Sequence, residues 1–166
     1  RLLSTLEKTV RVCSNKLPLL DVDVVVKNVP WQVIPRIGVN GFSYDPHQIE
    51  ITIDHQHKHL KAHFEGAITS LLAHELHHSA RAGKRQNSHG PHYGGILVAE
   101  GLAMSFEEEI GQPTPFYAVE CKGEALRKFS GKAREQIYTN REDLPGGWHR
   151  WQFGSFNNDP EFPYQC

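Results

Sequence analysis

The chain has 166 residues, of which 39% are hydrophobic and 22% charged, with a formal charge of -1 at pH 7. That is enough apolar material for one buried core, and no shift in composition marks a second domain. The near-neutral balance excludes a general basic surface for nucleic acid, and no stretch approaches the roughly 20 apolar residues that a membrane span needs.

Taken in chain order, Ser4-Thr5-Leu6-Glu7 has the form of a capping box and predicts a helix running to about Ser14. Residues 21–29 read as a strand, the valines at 22, 24, 25 and 26 giving a largely buried run, and Asn40-Gly41 is a turn signal. Ile49-Glu50-Ile51-Thr52-Ile53-Asp54 alternates apolar and polar residues with period two, so one face meets the core and the other meets water or ligand. This is the candidate edge strand beside a cleft. His55, His57, His59 and His63 follow, a tract that serves as a polar connection or, less commonly, as a secondary metal site.

Residues 64–82 form an apolar stretch with Ile68, Leu71, Leu72 and Leu76 at helical spacing, no internal proline, and Gly83 where a helix would stop. Inside it stands His74-Glu75-Leu76-His77-His78, an H-E-x-x-H sequence. Residues four apart on a helix lie one above the other, so His74 and His78 can turn imidazole nitrogens toward one metal ion. Zinc favours such ligands, and a catalytic site keeps one of four positions open for water, so one further protein ligand is needed. Glu75, rotated about 100° round the helix, flanks the metal without binding it and is placed to take the proton from the attacking water. His77, one turn from His74, is the alternative to His78; the His74 and His78 pair is preferred because it leaves Glu75 free. The longer H-E-x-x-H-x-x-G-x-x-H pattern is excluded, since its glycine and last histidine would fall at Arg81 and Lys84.

A Gly-rich loop over 88–95, with His89, His92 and Tyr93, leads into a second predicted helix over 96–110, placed so that it can cover the zinc. That helix carries Glu100 within Val98-Ala99-Glu100-Gly101-Leu102-Ala103. An acid in so apolar a run is costly to bury unless it is paired or bound to a metal, so Glu100 is the expected third ligand. Residues 115–139 read as one long amphipathic helix with Val119, Leu126, Phe129, Ala133 and Ile137 on its apolar side. Residues 141–166 are loop-dominated, with Trp148, Trp151, Phe153 and Phe156 supplying aromatic surface to dock on the core or to line a pocket. Donors for the oxyanion of a transition state are sought among His92, Tyr93, Tyr117, Tyr138 and His149, while Arg81 is a candidate partner for a carboxylate. Cys13, Cys121 and Cys166 lack metal-binding spacing and are read as free thiols.

His74-Glu75-Leu76-His77-His78-Ser79-Ala80-Arg81, followed by Glu100-Gly101-Leu102-Ala103 and Phe106, resembles the family of predicted zinc-dependent proteases known as domain of unknown function 2268. The resemblance extends from about Gly38 to the end. It implies a thermolysin-like (gluzincin-like) site with His74, His78 and Glu100 as zinc ligands and Glu75 as base, acting on a peptide or protein substrate. It also implies that the edge strand binds extended substrate by backbone pairing, a mode that reads little sequence. Two departures stand out. Many relatives place a second acid one turn after the glutamate ligand, and here that position is Met104; Glu107, a further turn along, is either a substitute or an ordinary exposed glutamate. Relatives also continue past a segment like Phe153-Gly154…Pro163 into a tyrosine-containing helix, whereas this chain stops at Cys166.

The expected fold is therefore α+β: a small twisted sheet, its edge strand beside the cleft, packed on the H-E-x-x-H helix and on a second helix carrying Glu100. The expected domain is a single zincin-like unit over 1–166, shortened at its C-terminus. Arg1 in place of a methionine points to processing upstream, and no secretory signal is visible. The compartment expected is the cytoplasm, or the periplasm or exterior where a signal has been removed. The expected activity is zinc-dependent peptide hydrolysis. The rivals are a non-catalytic zinc-binding module for partner recognition and a zinc hydrolase of non-peptide amides.

Overall fold

The computed structural model describes residues 1–85, 89–119 and 121–153. The fold is α+β, with three strands and six α-helices among the described residues. The chain divides into two compact units, Arg1–Ser88 with Leu102–Pro113, and His89–Gly101 with Thr114–Cys166. Among the described residues no helix is long and apolar enough to cross a membrane.

The first unit begins with α1 (Leu2–Ser14), whose N-cap is Arg1. The capping box expected at Ser4 is not formed: the N-cap is Arg1, three residues earlier, and Thr5 Oγ1 donates to the Arg1 carbonyl. Strands β1 (Asp23–Asn28), β2 (Val39–Asp45) and β3 (Gln48–Ile53) follow, then α2 (Lys58–Lys84) and α3 (Tyr93–Glu109). Residues of α3 are shared between the two units, 93–101 in the second and 102–109 in the first.

Sheet order is β1-β3-β2, with β1 parallel and β2 antiparallel to β3. This corrects the expectation for residues 49–54: the strand is central, with both edges paired. Period-two alternation records that one face is buried and the other is not, and it says nothing about lateral neighbours. Ile49 and Ile51 are fully buried and pair in register with Val24 and Val26, so one face of β1 and β3 meets Leu72, Ala73, Leu76 and Cys13 from the helices. The valines of β1 are not a continuous buried run either; exposed and half-buried residues alternate, with Val25 outward. Asn40-Gly41 is likewise no turn. It lies inside β2, and the reversal into β3 is made at Pro46 and His47.

Helix α2 spans the tract from His59 onward, with a kink at His63, where φ is -121° and ψ 29°. From Leu72 to Leu76 every side chain is buried, as expected of a helix surrounded by protein. Such a helix can carry polar residues only where they are paired or assigned a task. Thr9 Oγ1 on α1 donates to the Thr5 carbonyl and lies 3.3 Å from Thr69 Oγ1 on α2. Cys13 is fully buried, and burial pushes its thiol up to about 11, which leaves it an inert packing residue. Cys13 is a free cysteine, Cys121 is half-buried, and Cys166 lies outside the described residues.

The second unit packs Tyr93 and Ile96 of α3 against Leu144, with Ala133, Trp148 and Trp151 around them. The single helix expected over 115–139 is two, α4 (Phe116–Val119) and α5 (Gly123–Gln136). The break comes where Lys122 takes extended backbone, φ -137° and ψ 164°. Of the expected apolar side, Phe129 and Ala133 are half-buried while Val119, Leu126 and Ile137 are exposed. A short helix, α6 (Trp148–Phe153), follows. Trp148 and Trp151 dock on the unit's core, whereas Phe156 and the segment from Gly154 onward lie outside the described residues.

Candidate metal centre

One face of α2 stacks His74 over His78, their ring centroids 4.7 Å apart and their Nε2 atoms 3.0 Å apart. Both histidines are buried. On the far side of the His74 ring, Nδ1 stands 2.8 Å from Glu107 Oε1. An ionised carboxylate only accepts, so Nδ1 carries the proton and the Nε2 lone pair is left facing His78. The second oxygen of Glu107 accepts a hydrogen bond from Ser70 Oγ.

Glu107 is 2% exposed, which corrects its reading as an ordinary exposed glutamate. The helix itself carries the signal that separates it from its neighbours. Glu100, Ala103 and Glu107 share one face by their spacing of three and four, while Glu108 and Glu109 turn outward and are exposed. Met104, where relatives carry an acid, is half-buried.

Glu100 sits on α3 and is half-buried. One ligand atom from each of His74, His78 and Glu100 lies within 4.8 Å of the others. Two imidazoles and a carboxylate are a donor set that suits zinc in chemistry and number, with one tetrahedral position left over.

Glu75 is 6% exposed. Its carboxylate lies against β2 at Gly41, where a Cβ would come within 2.7 Å of Glu75 Cγ and Oε1. The glycine that resembles a turn signal is thus required for a close approach: any side chain there meets the carboxylate. In Gly41→Ala the glutamate side chain must shift from Cγ outward, and its carboxylate leaves its position. For a zinc peptidase that uses Glu75 as its base, hydrolysis is expected to fall roughly 10- to 100-fold while zinc content stays at the parental level. Parental turnover in this variant would show that the carboxylate works from elsewhere.

His77 turns to another side of α2. Its ring lies 5.8 Å from Phe106 and lines a cavity of about 220 Å³ with Lys16, Leu17, Leu102, Ser105 and Glu109. Burial, followed by the neighbouring His78, His74 and Arg81, lowers its pKa to about 4, so it is neutral at pH 7. Arg81 is half-buried.

The histidine tract before α2 is largely structural. His55 Nδ1 is 2.9 Å from Asn28 Oδ1, and His57 Nε2 is 2.9 Å from the Pro35 carbonyl. Among the described residues none of these histidines joins a three-ligand cluster. The candidate oxyanion donors fare unequally. Tyr93 is buried and donates its hydroxyl to the Trp151 carbonyl at 3.2 Å, Tyr138 is 85% exposed, and His149 stacks on Trp148. His92 is exposed and pairs its backbone with Asn140, and the side chain of Tyr117 lies outside the described residues. His89, at first only a member of a covering loop, places Nε2 3.0 Å from Glu100 Oε1.

No curated protein and no solved structure matches the chain. A family model described as "Predicted Zn-dependent protease (DUF2268)" matches residues 2–156, and the chain belongs to that family.

Proposed function

We propose that the chain is a zinc-dependent peptidase in which His74, His78 and Glu100 hold the metal and Glu75 is the general base. The observation that carries this reading is the gathering of two imidazoles and a carboxylate within 4.8 Å, on and beside the helix that buries Glu75. When bound, zinc polarises the scissile carbonyl and acidifies the attacking water.

The chain's own groups do the rest. Glu75 accepts the proton of the attacking water and returns one to the leaving amine. Glu107, held by Ser70, fixes the His74 ring in the tautomer that offers Nε2. Because β3 is internal, substrate pairing is reassigned to β2, which among the described residues pairs on one side only. An extended peptide added there would run past Gly41, beside which the Glu75 carboxylate lies, and would be gripped by backbone hydrogen bonds more than by its side chains. As the family match runs through both units, we treat residues 1–166 as one zincin-like domain.

The test combines metal analysis with a broad peptide library. The purified chain is expected to hold about one zinc per molecule, to cleave library peptides, and to lose and regain that activity on chelation and zinc return. A fully zinc-loaded chain that binds peptides and cleaves none would replace this reading with a non-catalytic recognition module. Cleavage confined to non-peptide amides would keep the chemistry and change the substrate.

A further inference from the structure

We propose that His89 is a positioning residue for the Glu100 carboxylate, holding it by a hydrogen bond in the orientation in which it meets the metal. The inference rests on the reading of Glu100 as a ligand and assigns a task to a residue that the family motif leaves out. His89 Nε2 lies 3.0 Å from Glu100 Oε1, and the two side chains are 24% and 23% exposed. A carboxylate can only accept, so the imidazole donates from Nε2. Held in this way, the carboxylate is limited in its rotation, which sets the orientation in which it meets a metal.

The backbone shows that this contact is built into the loop. An ideal Cβ at Gly95 would fall 2.1 Å from the His89 carbonyl oxygen, so the chain at His89 is seated directly on the first turn of α3, five residues before Glu100. Only glycine permits that approach. The segment between is pinned at several points: Arg141 N–H donates to the Pro91 carbonyl at 2.9 Å, Tyr93 N–H to Thr139 at 3.0 Å, and Gly95 N–H to His92 at 2.9 Å. Gly90, at φ +73°, supplies the turn that brings His89 back over the helix. The His89-Gly90-Pro91-His92-Tyr93-Gly94-Gly95 sequence thus has a common purpose in fixing one imidazole against one carboxylate.

The test measures zinc affinity of the full chain by chelator competition, together with the visible spectrum of the cobalt-substituted protein, which reports ligand number and geometry. His89→Ala is expected to weaken zinc binding by about 10- to 100-fold and to change the cobalt spectrum. His89→Gln, which can offer an amide N–H near the Nε2 position, should recover most of both. In a Glu100→Ala background, which is itself weakened, His89→Ala should cause no further loss. Should Glu100→Ala bind zinc like the parent, the ligand assignment fails and the inference with it. Should Glu100→Ala weaken the metal while His89→Ala leaves affinity and spectrum unchanged, or weakens binding equally in both backgrounds, the positioning role alone is overturned.

Discussion

Glu75→Gln is expected to lower peptide hydrolysis by about 10²–10⁴-fold while zinc content and thermal stability stay close to those of the parent. The amide keeps the size and shape of the side chain that lies against Gly41. It cannot take a proton from water. At about 1.4 kcal/mol per decade, the loss corresponds to roughly 3 to 5 kcal/mol of transition-state stabilisation. The comparison with Gly41→Ala is informative, because that variant retains the carboxylate and moves it, and its loss should be smaller. If Glu75→Gln cleaves as fast as the parent, the proton goes to another group and the assignment of the base is wrong.

His78→Ala is expected to abolish specific zinc binding, whereas His77→Ala keeps it. Adjacent in sequence, the two residues face different surroundings: His78 Nε2 lies 3.0 Å from His74 Nε2, while the His77 ring lines the cavity by Phe106. Metal that binds only the folded state raises stability by mass action, about 2.7 kcal/mol at a hundred times the dissociation constant. For a chain of this length that is roughly 5–10 °C in melting temperature. The parent and His77→Ala should both show this rise on adding zinc, and His78→Ala should not, with metal content by elemental analysis following the same pattern. A His78→Ala chain that still melts higher with zinc, paired with a His77→Ala chain that does not, would exchange the two ligands. His77→Ala has a separate cost from the space it leaves beside Phe106, so the quantity compared is the shift on adding zinc rather than the melting temperature itself.

The parts of the candidate site that were legible in the sequence are those governed by local geometry. A spacing of four on a helix puts His74 over His78 whatever surrounds them, and the helix carrying them covers the apolar stretch, although it runs through Gly83, where it was expected to stop, to Lys84. Glu100 was legible for a different reason: an acid amid Val98, Ala99, Leu102 and Ala103 needs a partner wherever it is buried, and it comes within 4.8 Å of both histidines. The α+β class followed from the same local signals.

Other features depend on which distant segments meet, and no local pattern carries that information. Alternation in residues 49–54 is the same for a central and an edge strand; its place between β1 and β2 is decided by pairing partners about ten and twenty-five residues away. Gly41 read as a turn because turns and close approaches select glycine alike, and only the arrival of Glu75 beside it distinguishes the two. Glu107 looked like Glu108 and Glu109 until the helix packed and buried it against Ser70 and His74. His89 acquires a partner only because Gly95 lets its backbone rest on α3. What the sequence by itself determined is the stacking of His74 over His78 on one helix and the apolar setting of Glu100 on another, since helical spacing and the cost of a buried charge are local quantities. Tertiary structure alone decided which strand borders that motif and which side chains hold its residues in place, because hydrogen bonds and close packing between remote segments exist only once the chain has folded.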